Sequence, residues 1–219
     1  YSTALQFQPN YAQVFNNLGN LLKEKGRLEE AQSSFRQAIA LKPNYAAAHN
    51  NLASTLHKLG RLDDAEASFR QAISLSPDFA EIHYSNLGAT LKELGRLDEA
   101  EASFRQALAI SHEFSAAHNN LGNTLKELGR LDEAEVSLSQ AIALKPDYSE
   151  AYNNLGNILE EKGKFDEVGD AIRKVFIKKA LPITPETKAS VTCLLNHGRS
   201  GTMFFPSLFD GHPDLATLP

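Results

Sequence analysis

The stretch Asn16-Asn17-Leu18-Gly19-Asn20 returns four times along this chain. Its copies are Asn50-Asn51-Leu52-Ala53, Ser85-Asn86-Leu87-Gly88, Asn119-Asn120-Leu121-Gly122-Asn123 and Asn153-Asn154-Leu155-Gly156-Asn157. Leu18 to Leu52 is 34 residues, Leu52 to Leu87 is 35, and the last two steps are 34 each. A period of this length excludes one collapsed core. Each unit is too small to bury its apolar face alone, so the units must stack and share it.

One period reads as two helices. Val14, Phe15, Leu18, Gly19, Leu21 and Leu22 recur at helical spacing and predict one apolar face. Gly26 ends that helix. Glu29 and Glu30 then stand near the positive N-terminal end of a second helix, whose apolar stripe is Ala31, Phe35, Ala38 and Ile39 and whose end is marked by Pro43. Small residues at fixed places (Gly19, Ala53, Gly88, Gly122, Gly156 on one helix; Ala31, Ala65, Ala100, Ala134 on the other) predict close helix approach. Phe35, Phe69, Phe104 and Leu138 fill the space beside them.

These residues resemble the tetratricopeptide repeat family, whose period is about 34 residues. The resemblance implies an all-α, right-handed superhelix of five repeats, at 12–45, 46–79, 80–114, 115–148 and 149–182. Residues 1–11 read as the remnant of a preceding helix, because Tyr1–Asn10 aligns with Phe35–Asn44; the sequence therefore reads as a fragment. The family's early Trp is represented by Phe15, His49, His83, His118 and Tyr152, which predicts packing roles for the histidines. His112 stands where the other repeats have Pro. Val168, Gly169 and Ile172 make the fifth repeat degenerate, as suits a terminal unit. The extra residue of the third repeat is assigned to Tyr84 or Ser85, inside a helix, and predicts a single-turn π-bulge there.

The polar side of the first helices carries the first candidate site. Asn17, Asn51, Asn86, Asn120 and Asn154 share one position, and Asn20, Asn123 and Asn157 share another three residues on, so both lie on one helical face. Stacking would align them along an inner, concave wall. An Asn amide offers a donor and an acceptor, which together match a peptide bond whatever the side chains. The ladder is similar to that of the O-linked N-acetylglucosamine transferases, whose repeat asparagines hold the substrate's backbone; this implies an extended peptide or protein as partner. A carboxylate-clamp wall would want lysines where this chain has Asn16, Asn50, Asn119 and Asn153.

After Lys179 the period stops, and 183–219 reads as a linker followed by a piece of another domain. Val191-Thr192-Cys193-Leu194-Leu195 suits a buried strand, His197-Gly198-Arg199-Ser200-Gly201-Thr202 a turn, and 203–209 a helix start. Backbone N–H groups at such a corner attract an anion, Arg199 adds a charged fork, and Ser200 and Thr202 add hydroxyls. A Gly-Lys-Ser/Thr ending is missing, so this is no Walker A loop. Arg199-Ser200-Gly201-Thr202 after an apolar strand, with His212-Pro213 downstream, resembles the start of an α/β sulfotransferase domain. That resemblance implies 3′-phosphoadenosine-5′-phosphosulfate as donor, bound by Arg199, Ser200, Gly201 and Thr202, and sulfuryl transfer to an acceptor hydroxyl. Met203 departs from the family's second Thr. The catalytic base would lie beyond Pro219, so this stretch by itself is expected to be inactive. A non-enzymatic scaffold and a glycosyltransferase parent are the alternatives.

Composition bounds the rest. A formal charge of −5 gives no electrostatic reason to expect nucleic acid or an anionic membrane as partner. No apolar run approaches the ~18 residues that a spanning helix needs. The single cysteine, Cys193, reads as a small buried residue and excludes an internal disulfide. The compartment stays open, with the cytoplasm favoured. His49, His83 and His118 lack metal-ligand spacing, and no metal is expected. His57 is placed on the solvated or groove face.

Overall fold

The computed structural model describes residues 9–77 and 80–164. These residues form nine α-helices and no strand: α1 Pro9–Glu24, α2 Leu28–Leu41, α3 Ala46–Lys58, α4 Leu62–Leu75, α5 Glu81–Glu93, α6 Leu97–Ile110, α7 Ser115–Glu127, α8 Leu131–Leu144 and α9 Ser149–Glu161. The second helix of the fifth repeat, the expected strand at 191–195 and the loop Arg199-Ser200-Gly201-Thr202 lie outside the described residues.

Each first helix stops at a glycine for a conformational reason. Gly26, Gly60, Gly95, Gly129 and Gly163 all have φ between 71° and 75°, a region other residues enter at a cost. At Gly26 the turn is closed by Arg27 N–H donating to Leu22 C=O (2.9 Å) and Gly26 N–H to Lys23 C=O (3.1 Å), the paired bonds of a helix C-terminal cap. The second helix then begins behind an arginine, Arg27, Arg61, Arg96 or Arg130, which makes no side-chain cap. A cation there opposes the helix dipole. Carboxylates in the first turn offset it: Arg27 with Glu30, Arg61 with Asp64, Arg96 with Glu99 and Arg130 with Glu133.

The core is continuous from repeat to repeat. Phe35, Phe69, Phe104 and Leu138 are at most 1% exposed, and Ala31, Ala65, Ala100 and Ala134 are fully buried. The small residues opposite them are required by space. A Cβ on Gly19 would stand 2.6 Å from the Phe35 ring, one on Gly88 2.8 Å from Phe104, and one on Gly122 2.6 Å from Leu138. The first helices of consecutive repeats touch one another more than the second helices do, so the first helices line the inner side of the stack.

Two expectations are corrected. The third repeat has no π-bulge: α5 is a regular helix of 13 residues, as long as α3, α7 and α9. The extra residue therefore falls before α5, whose cap Ala80 (ψ 4°) differs from the extended Tyr45, Phe114 and Tyr148 (ψ 81° to 84°). A turn absorbs a residue without breaking the i→i−4 ladder, which a bulge must break. Counted from the helix start, Tyr84 therefore shares the position of His49, His118 and Tyr152. His83 falls instead where Ala48, Ala117 and Ala151 are fully buried.

The second correction concerns α1. Val14, Leu18 and Leu21 are 57%, 42% and 48% exposed, whereas their counterparts Ala48, Leu52 and Thr55 are buried. Those counterparts are covered by the helix pair before them.

Candidate peptide-binding groove

The asparagine positions divide into two kinds. Asn51 Nδ2 donates to Asn16 Oδ1 at 3.0 Å, and Asn154 Nδ2 donates to Asn119 Oδ1 at 2.9 Å. Asn86 Nδ2 reaches Asn50 Oδ1 at 3.5 Å. Each bond joins one repeat to the one before it. Asn16 and Asn119 are buried, and an unpaired buried amide costs about 1–3 kcal/mol, so these pairs hold the stack. By sequence, Asn16, Asn50 and Asn119 mark only the places where a carboxylate clamp would have lysines. They are acceptors of the inter-repeat bonds, and their place one residue before each ladder asparagine, in nearly every copy, was the available signal.

The remaining amides are open. Asn17, Asn20, Asn123 and Asn157 make no side-chain hydrogen bond among the described residues, and none is buried. The repeat before Asn120 carries Ser85 at the position where the counterparts' preceding repeats carry an asparagine, and Asn120 receives only a 3.5 Å contact from Asn119 Nδ2. Asn51, Asn86 and Asn154 are half-buried and each shows one donated bond, leaving the other N–H and the carbonyl oxygen. Thr55, Thr90 and Thr124 donate to the backbone carbonyls of Asn51, Asn86 and Asn120, fixing the turn below the ladder.

Asn123, Asn154 and Asn157 come together with Lys92, Lys126, Glu127 and Glu161 around a recess of about 340 Å³ on the inner wall. A second recess of about 310 Å³ next to it is lined by Ala89, Lys92, Glu93, Phe104, Asn120 and Glu127. The structure thus brings together ladder residues from α7 and α9. Asn17 and Asn20 stand on α1, in neither recess.

Charged residues flank the ladder one turn on. Lys92 Nζ pairs with Glu127 Oε1 of the next repeat at 2.8 Å, and Lys126 Nζ with Glu161 Oε2 at 3.7 Å. His57 holds the same position; its buried Nε2 lies 3.2 Å from Glu93 Oε1 without the angle of a hydrogen bond. Four other histidines serve the fold. His49 Nε2 donates to the Pro43 carbonyl (2.9 Å) and His118 Nε2 to the His112 carbonyl (3.1 Å). His112 caps α6 through Leu108 C=O at 2.6 Å. His83 Nδ1 donates to Asn50 Oδ1 at 3.0 Å, the oxygen Asn86 also approaches. Burial pushes the imidazoles of His83 and His118 below the ordinary histidine value.

The tetratricopeptide repeat signature matches 16–80, and the TPR repeat signature matches 88–129 and 122–163. This chain belongs to the tetratricopeptide repeat family. Its fold is similar to that of MamA, at 22% identity over 81% of this chain and 100% of that one, with a TM-score of 0.68. PilF of Pseudomonas aeruginosa aligns at 17% identity over 89% and 95% of the two chains (TM-score 0.71). YrrB, described as a TPR protein with an unusual peptide-binding site, aligns at 21% identity over 80% and 89% (TM-score 0.62). At these identities the likeness is one of fold. No curated protein sequence matches the chain. Among the described residues, no helix is long and apolar enough to cross a membrane, and no cluster of three His, Cys, Asp or Glu is arranged for a metal.

Proposed function

We propose that this tetratricopeptide repeat protein is a scaffold that binds an extended peptide or protein segment along the wall of its first helices. The observation that carries this is the recess where Asn123, Asn154 and Asn157 meet. Amides spaced along one helical face, with free N–H and C=O groups, suit the alternating donors and acceptors of an extended backbone. The peptide-binding site named for YrrB supports the reading by analogy of fold. The test is to select a peptide from a random library on the protein and measure its affinity for Asn123→Ala and Asn157→Ala. A loss of about tenfold, worth ~1.4 kcal/mol, with unchanged unfolding is expected. Unchanged affinity for both variants would overturn the groove.

The finer reading is that the repeats serve a sulfotransferase domain beginning near residue 183, the wall presenting a protein acceptor. The observation in its favour is Arg199-Ser200-Gly201-Thr202 after the apolar run 191–195. In that reading Arg199 and the loop hydroxyls hold the 5′ phosphate and sulfate of 3′-phosphoadenosine-5′-phosphosulfate. Binding of that nucleotide by a chain that continues past Pro219, and its loss in Arg199→Ala, tests the reading. Equal binding by the variant would sink it.

A further inference from the structure

The inner-wall ion pairs have one exception. At the later junctions a basic residue near the end of one first helix faces a carboxylate on the next: the histidine His57 faces Glu93, and the lysines Lys92 and Lys126 face Glu127 and Glu161. At the junction of α1 and α3, Lys23 takes the cation's place and Lys58 takes the carboxylate's. Neither lysine has an ion-pair partner among the described residues, and residues 1–8 contain no Asp or Glu.

The environment sharpens the contrast. Lys23 is half-buried, and Lys58 is exposed. Burial first, and then the charge of Lys58, hold the Lys23 ammonium below the ordinary lysine range; the one carboxylate opposing this is Glu24, on the same helix, and its influence is smaller. Two cations at the positions that elsewhere hold a lysine and a glutamate, one of them partly desolvated, gain more from an arriving anion than an ion pair already neutralised can. Asn20 lies one turn back on the same face of α1 with its amide open. The junction therefore offers a charged and a polar contact at one step of a wall whose lysines at Lys92 and Lys126 are already paired with carboxylates.

We propose that the Lys23–Lys58 step is a specificity site that takes the carboxylate of an acidic side chain in the bound peptide. The proposal rests on the groove reading above and adds a register to it: the acidic residue lies over α1 and α3 while the backbone continues across the amides of α7 and α9. The partner is an extended segment with Asp or Glu toward the end that lies over the first repeat.

The test is a random-peptide selection on the 219-residue chain, run in parallel on the wild type and on Lys58→Glu, which installs the lysine–glutamate pair found between α5 and α7 and between α7 and α9. The proposal predicts enrichment of Asp or Glu at one position of wild-type binders and loss of that enrichment on Lys58→Glu. Replacing that acidic residue by Asn or Gln in the best wild-type peptide should weaken binding about tenfold at low salt and by less as salt rises. Lys23→Gln should act in the same direction, and circular dichroism should show both variants folded. Binders without acidic enrichment, or enrichment that survives Lys58→Glu, would overturn the proposal and leave the groove standing. Failure to recover any binder would overturn both.

Discussion

The junction of α1 with α3 and the junction of α5 with α7 are the same architecture carrying different charge. In each, a buried Phe of the intervening helix fills the space beside a glycine, Phe35 against Gly19 and Phe104 against Gly88. On the outer side, Arg130 Nη1 bonds Glu101 Oε2 at 2.6 Å, whereas Arg61 Nη1 reaches the neutral Gln32 Oε1 at 3.0 Å. On the inner side, Lys92 pairs with Glu127, whereas at the equivalent positions of α1 and α3 stand Lys23 and Lys58, like charges that oppose each other. The comparison teaches that apolar contacts fix the stack and that the charged positions are free to differ. The differences therefore report on what lies outside the stack.

The largest effect is expected where the junctions agree. Phe104→Ala empties a fully buried site and should cost about 3–5 kcal/mol in urea unfolding, with Val136→Ala, at 70% exposed, near zero. Equal costs would mean that the shared core does not carry the fold. Next comes the amide lock. Asn119→Leu removes the acceptor for Asn154 and the donor to Glu150, and should cost about 1–3 kcal/mol. Asn17→Ala on α1 should leave the unfolding midpoint in place.

Acid should then separate the middle of the stack from its ends. The imidazoles of His83 and His118 are held below the ordinary value of 6.5 by burial, so the unfolded chain binds their protons more readily. Stability should be present above pH 6.5 and be lost as pH falls from there to the folded-state values. Replacing both histidines should flatten that slope in urea titrations at graded pH, and an unaltered slope would refute the assignment. The smallest effect is expected from Lys58→Glu. An exposed ion pair with Lys23 should raise stability by only ~0.2–1 kcal/mol, fading with salt.

The helix pairs, the close approach at Gly19, Gly88 and Gly122, and the packing role of Phe35, Phe69, Phe104 and Leu138 were legible in the sequence, because period and side-chain volume leave little choice. The place of the extra residue was not. Matching His83 to His49 favoured an insertion inside the helix, but the cost of breaking a helical hydrogen-bond ladder favours the turn. That single shift moved His83 into an alanine's position and Tyr84 into the aromatic one. The asparagine ladder was half legible. Spacing put the amides on one face, yet it could not tell an amide that donates to the neighbouring repeat, as Asn51 and Asn154 do, from one at the same position that does not, such as Asn120. That distinction depends on what the preceding helix presents, an asparagine at Asn119 and a serine at Ser85.

The most direct test is a titration of the isotopically labelled protein with a selected peptide, following the side-chain amide resonances of asparagine. The account predicts large shifts at Asn123 and Asn157, with Asn119 little moved. Shifts confined to the outer arginine–glutamate positions, with the inner amides silent, would contradict it.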